Sequence, residues 1–387
     1  MKKEITDANF RLEFLDGARG WASFAVLLSH LLVCVLVATT PLLNYNRERI
    51  LEGLHNRDLI TLFVGTIIRF VSDGHLAVII FFVISGLALS IKNLNKENRK
   101  LELAASSRYF RLAIPVFFTS LIAYILFKLG LMFNSAVAAL SESPVHWLGG
   151  FYRFELTIFE VIKFSLRDVF LPGGPDFVNP ILWTMNYELL RSFVIYAYLG
   201  IFRSAGKVQW PIVIILTVML FLSKPLLSCF FIGYMIAEIT KSVNINSFLN
   251  KIKSRYREMF FGMIFLTSAV LSAYVRGSDR WSCLFGAGIV VSICFSVKLK
   301  CFFSNSASRF LGGISFPLYL IQIPLICSWT SYLYIELPEL GLERINANLV
   351  NLFSTIILAL LSARLLLPLE SLSIRYSKKI GSYLIKN

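Results

Sequence analysis

The sequence predicts an all-α polytopic membrane protein of about ten transmembrane helices, with N- and C-termini cytoplasmic. Three observations carry this. Of the 387 residues, 56% are hydrophobic and only 16% charged, where a soluble domain carries about a quarter. The mean hydropathy of +0.69 comes from long apolar runs, each near the roughly 20 residues a helix needs to cross the hydrocarbon core. The charges fall in clusters between those runs, the arrangement that sets orientation in a membrane. A cytosolic globular enzyme and a disordered chain are both excluded.

Ten segments qualify as spans: 19–40, 75–91, 110–133, 179–203, 208–222, 225–240, 258–275, 281–297, 311–334 and 348–370. The first follows Lys2, Lys3 and Arg11 but is too long for a signal-peptide core, and it ends in Ala38-Thr39-Thr40 rather than a small-x-small cleavage site. It is read as a retained span. Segments 92–109 and 241–257 are strongly basic and face the cytoplasm when the N-terminus does, whereas Glu336, Glu339 and Glu343 fall in one outer loop. An even number of spans returns the C-terminus to the starting side. The net charge of +15 thus has a topological explanation, and no nucleic-acid partner is expected.

The outer segment 134–178 contains an amphipathic stretch, 155–170, and the turn-forming run Pro172-Gly173-Gly174-Pro175-Asp176. It is expected to lie along the membrane surface or to cap the helices, as is 59–71. A single integral membrane domain, 1–387, is expected, with the helical bundle at about 12–370, a basic cytoplasmic tail at 371–387 and no appended soluble domain. The cysteines Cys34, Cys229, Cys283, Cys294, Cys301 and Cys327 lie in or beside apolar runs without CxxC spacing, as small apolar fillers do. No metal site is expected.

Ionisable residues inside spans are costly and point to function. Arg19 and His30 are eleven residues apart, about 1,100° of helical rotation, so they share a face within roughly 20°. The rise between them is about 16 Å, which places His30 near the midplane if Arg19 sits at the cytoplasmic boundary. Counting inward from the span ends brings Ser85, Glu188 and Gln322 to the same depth. A histidine, a carboxylate and two hydrogen-bonding groups at one level suit proton transfer in a dry cavity. Arg108 and Arg111 stand three apart before Pro115 and, with Arg19, offer guanidinium forks for a phosphorylated ligand. Each feature also has a structural reading. His30, Ser85 and Gln322 can serve as interhelical hydrogen-bonding groups, Glu188 as a partner of Arg191, and the arginine pair as ordinary positive-inside charge.

The motifs resemble the acyltransferase-3 family of integral membrane O-acyltransferases. Phe14-Leu15-Asp16-Gly17-Ala18-Arg19-Gly20-Trp21, with Leu28-Ser29-His30, is similar to the family's opening Leu-Asp-Gly-x-Arg-Gly motif and its Arg-x10-His spacing. Phe81-Phe82-Val83-Ile84-Ser85-Gly86 resembles its second-span motif, and Arg108-Tyr109-Phe110-Arg111 its Arg-x-x-Arg segment. Leu182-Trp183-Thr184-Met185-Asn186-Tyr187-Glu188 and Leu311-Gly312-Gly313-Ile314-Ser315-Phe316-Pro317-Leu318-Tyr319-Leu320-Ile321 resemble two later motifs, and all five run in family order. The resemblance implies transfer of an acyl group, usually acetyl from cytoplasmic acetyl-CoA, to a hydroxyl of a glycan or other acceptor. Lipopolysaccharide O-antigen, exopolysaccharide, peptidoglycan sugar and small lipids are the acceptor classes.

Carried onto this chain, the resemblance implies catalytic roles for His30 and Glu188 and acyl-CoA-binding roles for Arg19, Arg108 and Arg111. Asp16, Ser85, Trp183, Tyr319 and Gln322 support them. His30 would take the acceptor's proton or carry the acyl group itself, with Glu188 orienting the imidazole. Many members have histidine where this chain has Gln322, which can position but not exchange a proton, and an acid where it has Ile79 and Ile80. No permanently bound cofactor is implied; acyl-CoA is a co-substrate. The expected partners are the lipid bilayer, acyl-CoA and a glycan or glycolipid acceptor, and the expected location is the bacterial inner membrane. Two other classes share these features: a glycan or lipid transporter, which would show two related halves, and a non-catalytic sensor derived from the family.

Overall fold

A computed structural model describes residues 2–32, 59–94, 98–140, 148–152, 155–174, 178–202 and 205–386. Cys34, the end of the first expected span (33–40), and Pro175-Asp176 lie outside the described residues. Those residues are all-helical, with no strand. In order the helices are α1 (Lys2–Leu31), α2 (Leu59–Val71), α3 (Gly74–Asn93), α4 (Asn98–Lys128), α5 (Asn134–Leu140), α6 (Ile158–Leu166), α7 (Trp183–Phe202), α8 (Gln209–Ser223) and α9 (Pro225–Lys241). Then come α10 (Val243–Lys251), α11 (Ser254–Tyr274), α12 (Asp279–Phe295), α13 (Val297–Phe303), α14 (Ser306–Leu325), α15 (Ser331–Glu339), α16 (Arg344–Leu365) and α17 (Leu367–Lys386).

Among the described residues, five helical stretches are long and apolar enough to cross a membrane: Gly74–Asn93, Leu101–Lys128, Gly206–Ser223, Ser306–Glu339 and Arg344–Ile385. Counting each bent pair as one span adds α9 with α10, bent by 68°, and α12 with α13, bent by 97°, for seven. Ile214, Ile215, Val218, Met219 and Leu222 on α8 are exposed, as are Phe353, Ile357, Leu361 and Leu365 on α16. Apolar surface on that scale needs lipid around it. The protein is an integral membrane protein.

The chain divides into two compact units, and the division falls inside α1, α4, α7 and α14. The first unit holds residues 1–26, 47–105 and 190–315. Within it α3 and α9 pack backbone to backbone: a Cβ on Gly86 would overlap the Phe230 carbonyl, and one on Gly233 the Val83 carbonyl. Small residues let helix backbones approach where lipid removes the hydrophobic drive between them. Gly233→Ala is therefore expected to destabilise the protein by about 1–3 kcal/mol through overpacking, read as a lower midpoint of thermal unfolding in detergent.

Also in this unit, α1 seats against α14. Cβ atoms on Gly17 and Gly20 would collide with the Phe303 carbonyl and with Leu311–Gly312, and one on Gly312 would come 2.7 Å from the Asp16 carbonyl oxygen. The Trp21 indole donates to the Ser308 hydroxyl at 2.9 Å and the Ser23 hydroxyl to the Ser315 carbonyl at 2.8 Å. Gly17 and Gly20 of the first motif and Gly312 of the last are thus contact surfaces. The stretch 59–71 forms α2, whose buried Arg69 donates to the Ala273 carbonyl at 2.6 Å. Of the described cysteines, Cys229, Cys283 and Cys294 here and Cys327 in the second unit are buried, whereas Cys301 is exposed.

The second unit holds residues 27–46, 106–189 and 316–387. Asn134 donates to the Leu148 and Phe151 carbonyls at 2.8 and 2.9 Å. The amphipathic stretch 155–170 forms α6 behind a Thr157–Glu160 capping box, and the Thr157 hydrogen bonds hold the Glu160 carboxyl below the usual carboxylate range. It buries Val161 and Phe164 and leaves Phe159 exposed. In the expected basic tail, 371–386 belong to α17. Ser373, Ser377 and Gly381 recur every fourth residue and are buried. A Cβ on Gly381 would meet Ser106 and Ser107 at 3.0–3.1 Å, so the small face keeps the helix going by packing on α4.

Candidate functional site

The second unit collects most of the residues singled out by the sequence. α14 contains Pro324, which has no N–H, so the Leu320 carbonyl four residues earlier loses its helical donor. The Asn179 side-chain amide supplies one at 2.9 Å, from just before the short turn Pro180–Leu182 that leads into α7. One position back along α14, the buried Tyr319 hydroxyl donates to the Ile181 carbonyl at 3.1 Å and lies 2.9 Å from the Thr184 hydroxyl. The Leu-Trp-Thr motif and the Tyr-Leu-Ile-Gln segment are therefore held together by three polar contacts. Trp183 is exposed and meets Tyr187 edge-on at 5.3 Å.

Gln322 is fully buried. Its amide nitrogen donates to the Tyr319 carbonyl at 3.0 Å, and its oxygen lies 3.2 Å from Nδ1 of His30. Along α7, Glu188 forms an ion pair with Arg108, both side chains almost withdrawn from the surface at 14% and 10% exposure. Arg111 is exposed at the surface of α4.

Here the structure adds to the sequence reading. Glu188 takes Arg108 as a partner, a residue expected to serve acyl-CoA. The reason is reach: Arg108 on α4 presents a guanidinium to α7 where that helix buries its carboxylate, and a buried charge needs a counter-charge. Arg191, considered above as the partner of Glu188, lies in the first unit with its guanidinium over the rings of Phe82 and Phe230, at 5.0 and 5.8 Å.

The first unit holds Asp16, Arg19 and Ser85. Arg19 stands 4.0 Å from Asp16 and 6.0 Å from the centre of the Phe81 ring, joining the opening motif to the Phe-Phe motif. Asp16 is exposed and Ser85 buried on α3. Asn179 and Thr184 were not singled out by the sequence. The signal for Asn179 was present in Pro324, which predicts an orphan carbonyl but not which side chain answers it.

A family model described as an acyltransferase domain matches residues 12–367, nearly the whole chain and both compact units. Searches of curated proteins and of solved structures found no match. The matched range contains all five motifs and every residue of the His30–Gln322 and Arg108–Glu188 contacts, and the chain belongs to the acyltransferase-3 family of membrane acyltransferases.

Proposed function

We propose that this protein moves an acyl group, acetyl in the simplest case, from a cytoplasmic acyl-CoA to a hydroxyl of a cell-envelope glycan. Lipopolysaccharide O-antigen, exopolysaccharide and peptidoglycan sugar are the acceptor classes. The observation that carries this reading is the set His30, Gln322, Tyr319, Thr184 and the Arg108–Glu188 pair, gathered in one unit at buried or half-buried positions. His30 is the base. It takes the proton of the acceptor hydroxyl as that oxygen bonds to the thioester carbonyl carbon. The carbon–sulfur bond breaks, the electron pair leaves with the CoA thiolate, and the imidazolium returns the proton to it. The products are an O-acyl ester and free CoA thiol.

Glu188 acts as a carboxylate held in place by Arg108 and serves to orient or stabilise charge on the imidazole. Arg19 and Arg111 recognise phosphates of the acyl-CoA, while Arg108 divides its attention with Glu188. Asp16, Ser85 and Trp183 support their motifs, and acyl-CoA enters as a co-substrate rather than a permanently bound cofactor. Ten spans, both termini in the cytoplasm, one domain over 1–387 and residence in the bacterial inner membrane complete the reading. The basic segments 92–109 and 241–257 support the orientation, and the family match across both units supports the single domain.

The test is transfer of label from acetyl-CoA into envelope glycan by membranes containing the protein, with release of CoA thiol measured in parallel. Movement of glycan across the membrane without thiol release would identify a transporter instead. Within the same assay, Arg19→Lys is expected to raise the KM for acyl-CoA about 10- to 100-fold, the loss of one charge-assisted bidentate contact. An unchanged KM would remove Arg19 from donor recognition.

A further inference from the structure

The side-chain amide of Gln322 is fixed by what lies on each side of it. Its nitrogen is 3.0 Å from the Tyr319 carbonyl oxygen, and its oxygen is 3.2 Å from His30 Nδ1. A peptide carbonyl only accepts hydrogen bonds. Turning the amide over would set two oxygens against each other inside a fully buried position, with no solvent to relieve them. The carbonyl itself cannot drift, because Tyr319 is tied through its hydroxyl to Ile181 and Thr184, and Leu320 through its carbonyl to Asn179. What Gln322 shows to His30 is therefore an oxygen, and an amide oxygen also only accepts.

We infer that Gln322 holds the neutral His30 ring in its Nδ1–H tautomer, so that Nε2 carries the basic lone pair. Neutral imidazole has one donor and one acceptor nitrogen, and the partner of one decides the chemistry of the other. Gln322 is a positioning residue in this scheme: it exchanges no proton, yet it decides which nitrogen can take one. The functional consequence rests on the reading of His30 as the base; the tautomer does not.

The experiment uses the full chain with ring-15N-labelled histidine, reconstituted in lipid. The chain has four histidines, and the His30 signals are those lost in His30→Ala. The expected wild-type spectrum has a protonated Nδ1 and a bare Nε2 at His30. Gln322→Leu is expected to populate the Nε2–H form and to lower kcat about 10²-fold with the KM for acyl-CoA unchanged. Gln322→Glu, protonated on the oxygen that faces the Tyr319 carbonyl and donating to it, keeps an acceptor oxygen toward His30 and so keeps the Nδ1–H signature. If Gln322→Leu does not accumulate, the wild-type and Gln322→Glu spectra decide. An Nε2–H ring in the wild type, or an unaltered Nδ1–H signature in Gln322→Leu, overturns the inference. Full transfer by His30→Ala would sink the catalytic reading instead, and the spectra are independent of turnover.

Discussion

Acyl transfer by His30→Ala is expected to fall about 10²- to 10⁴-fold, the contribution of a positioned general base. Protein abundance and acyl-CoA binding should stay near wild type. One structural cost is read directly in the second unit: Gln322 Oε1 loses a partner, and an orphaned buried acceptor costs about 1–3 kcal/mol. That is enough to lower a melting temperature but not to explain loss of activity in protein that still accumulates. The measurement is labelled acetyl transfer in membranes, scored against immunodetected protein. A base that was only structural glue would leave the rate per molecule intact, and wild-type turnover by His30→Ala would remove it from the mechanism.

The second large effect concerns the Arg108–Glu188 pair. Removing either partner alone, as in Arg108→Met or Glu188→Leu, leaves an uncompensated charge among apolar side chains and is expected to cost about 3–5 kcal/mol. Replacing both at once with apolar residues of similar volume, Arg108→Met with Glu188→Leu, is expected to recover most of that stability. Activity should separate from stability here. The double variant is expected to fold and still fail to transfer, because the carboxylate that serves His30 is gone. Glu188→Gln should keep more activity than Glu188→Leu if orientation is the main role. A double variant that folds and transfers at the wild-type rate would reduce the pair to a structural bridge. Thermal unfolding of all four proteins closes a cycle that yields the coupling directly.

Helical character, membrane residence and family were all legible in the sequence, because each depends on local runs: apolar stretches, charge clusters and five short motifs. The shared depth of His30 and Gln322 followed from counting along helices, and the structure brings those two into contact. Partner choice was less accessible. Arg191 is near Glu188 in the chain, but the ion pair in the structure is with Arg108, eighty positions away, and which helix faces which cannot be counted from a periodicity. The same limit hid Asn179, whose importance comes from a proline on another helix. The tail 371–387 read as a basic extension because its charged residues, Arg375, Lys378, Lys379 and Lys386, are all positive. Its Ser373, Ser377 and Gly381 face, which continues the helix against Ser106 and Ser107, is visible only at a period of four and only once its counterpart is known.

The missing N–H at Pro324 has a mechanical consequence. An ordinary transmembrane helix presents no backbone mark along its length, since every carbonyl is already occupied, and a neighbour can slide past it by a turn at little polar cost. The open carbonyl at Leu320 breaks that uniformity. A displacement of one turn, about 5.4 Å, would carry the Asn179 amide away from the oxygen it serves and leave both unpaired where water is scarce, at several kcal/mol for each group. The proline thus works as an index notch, and the asparagine as the pawl that drops into it. Because Tyr319 and Gln322 flank that notch on the same helix, the axial setting that seats the pawl is also the one that sets the height of the amide facing His30.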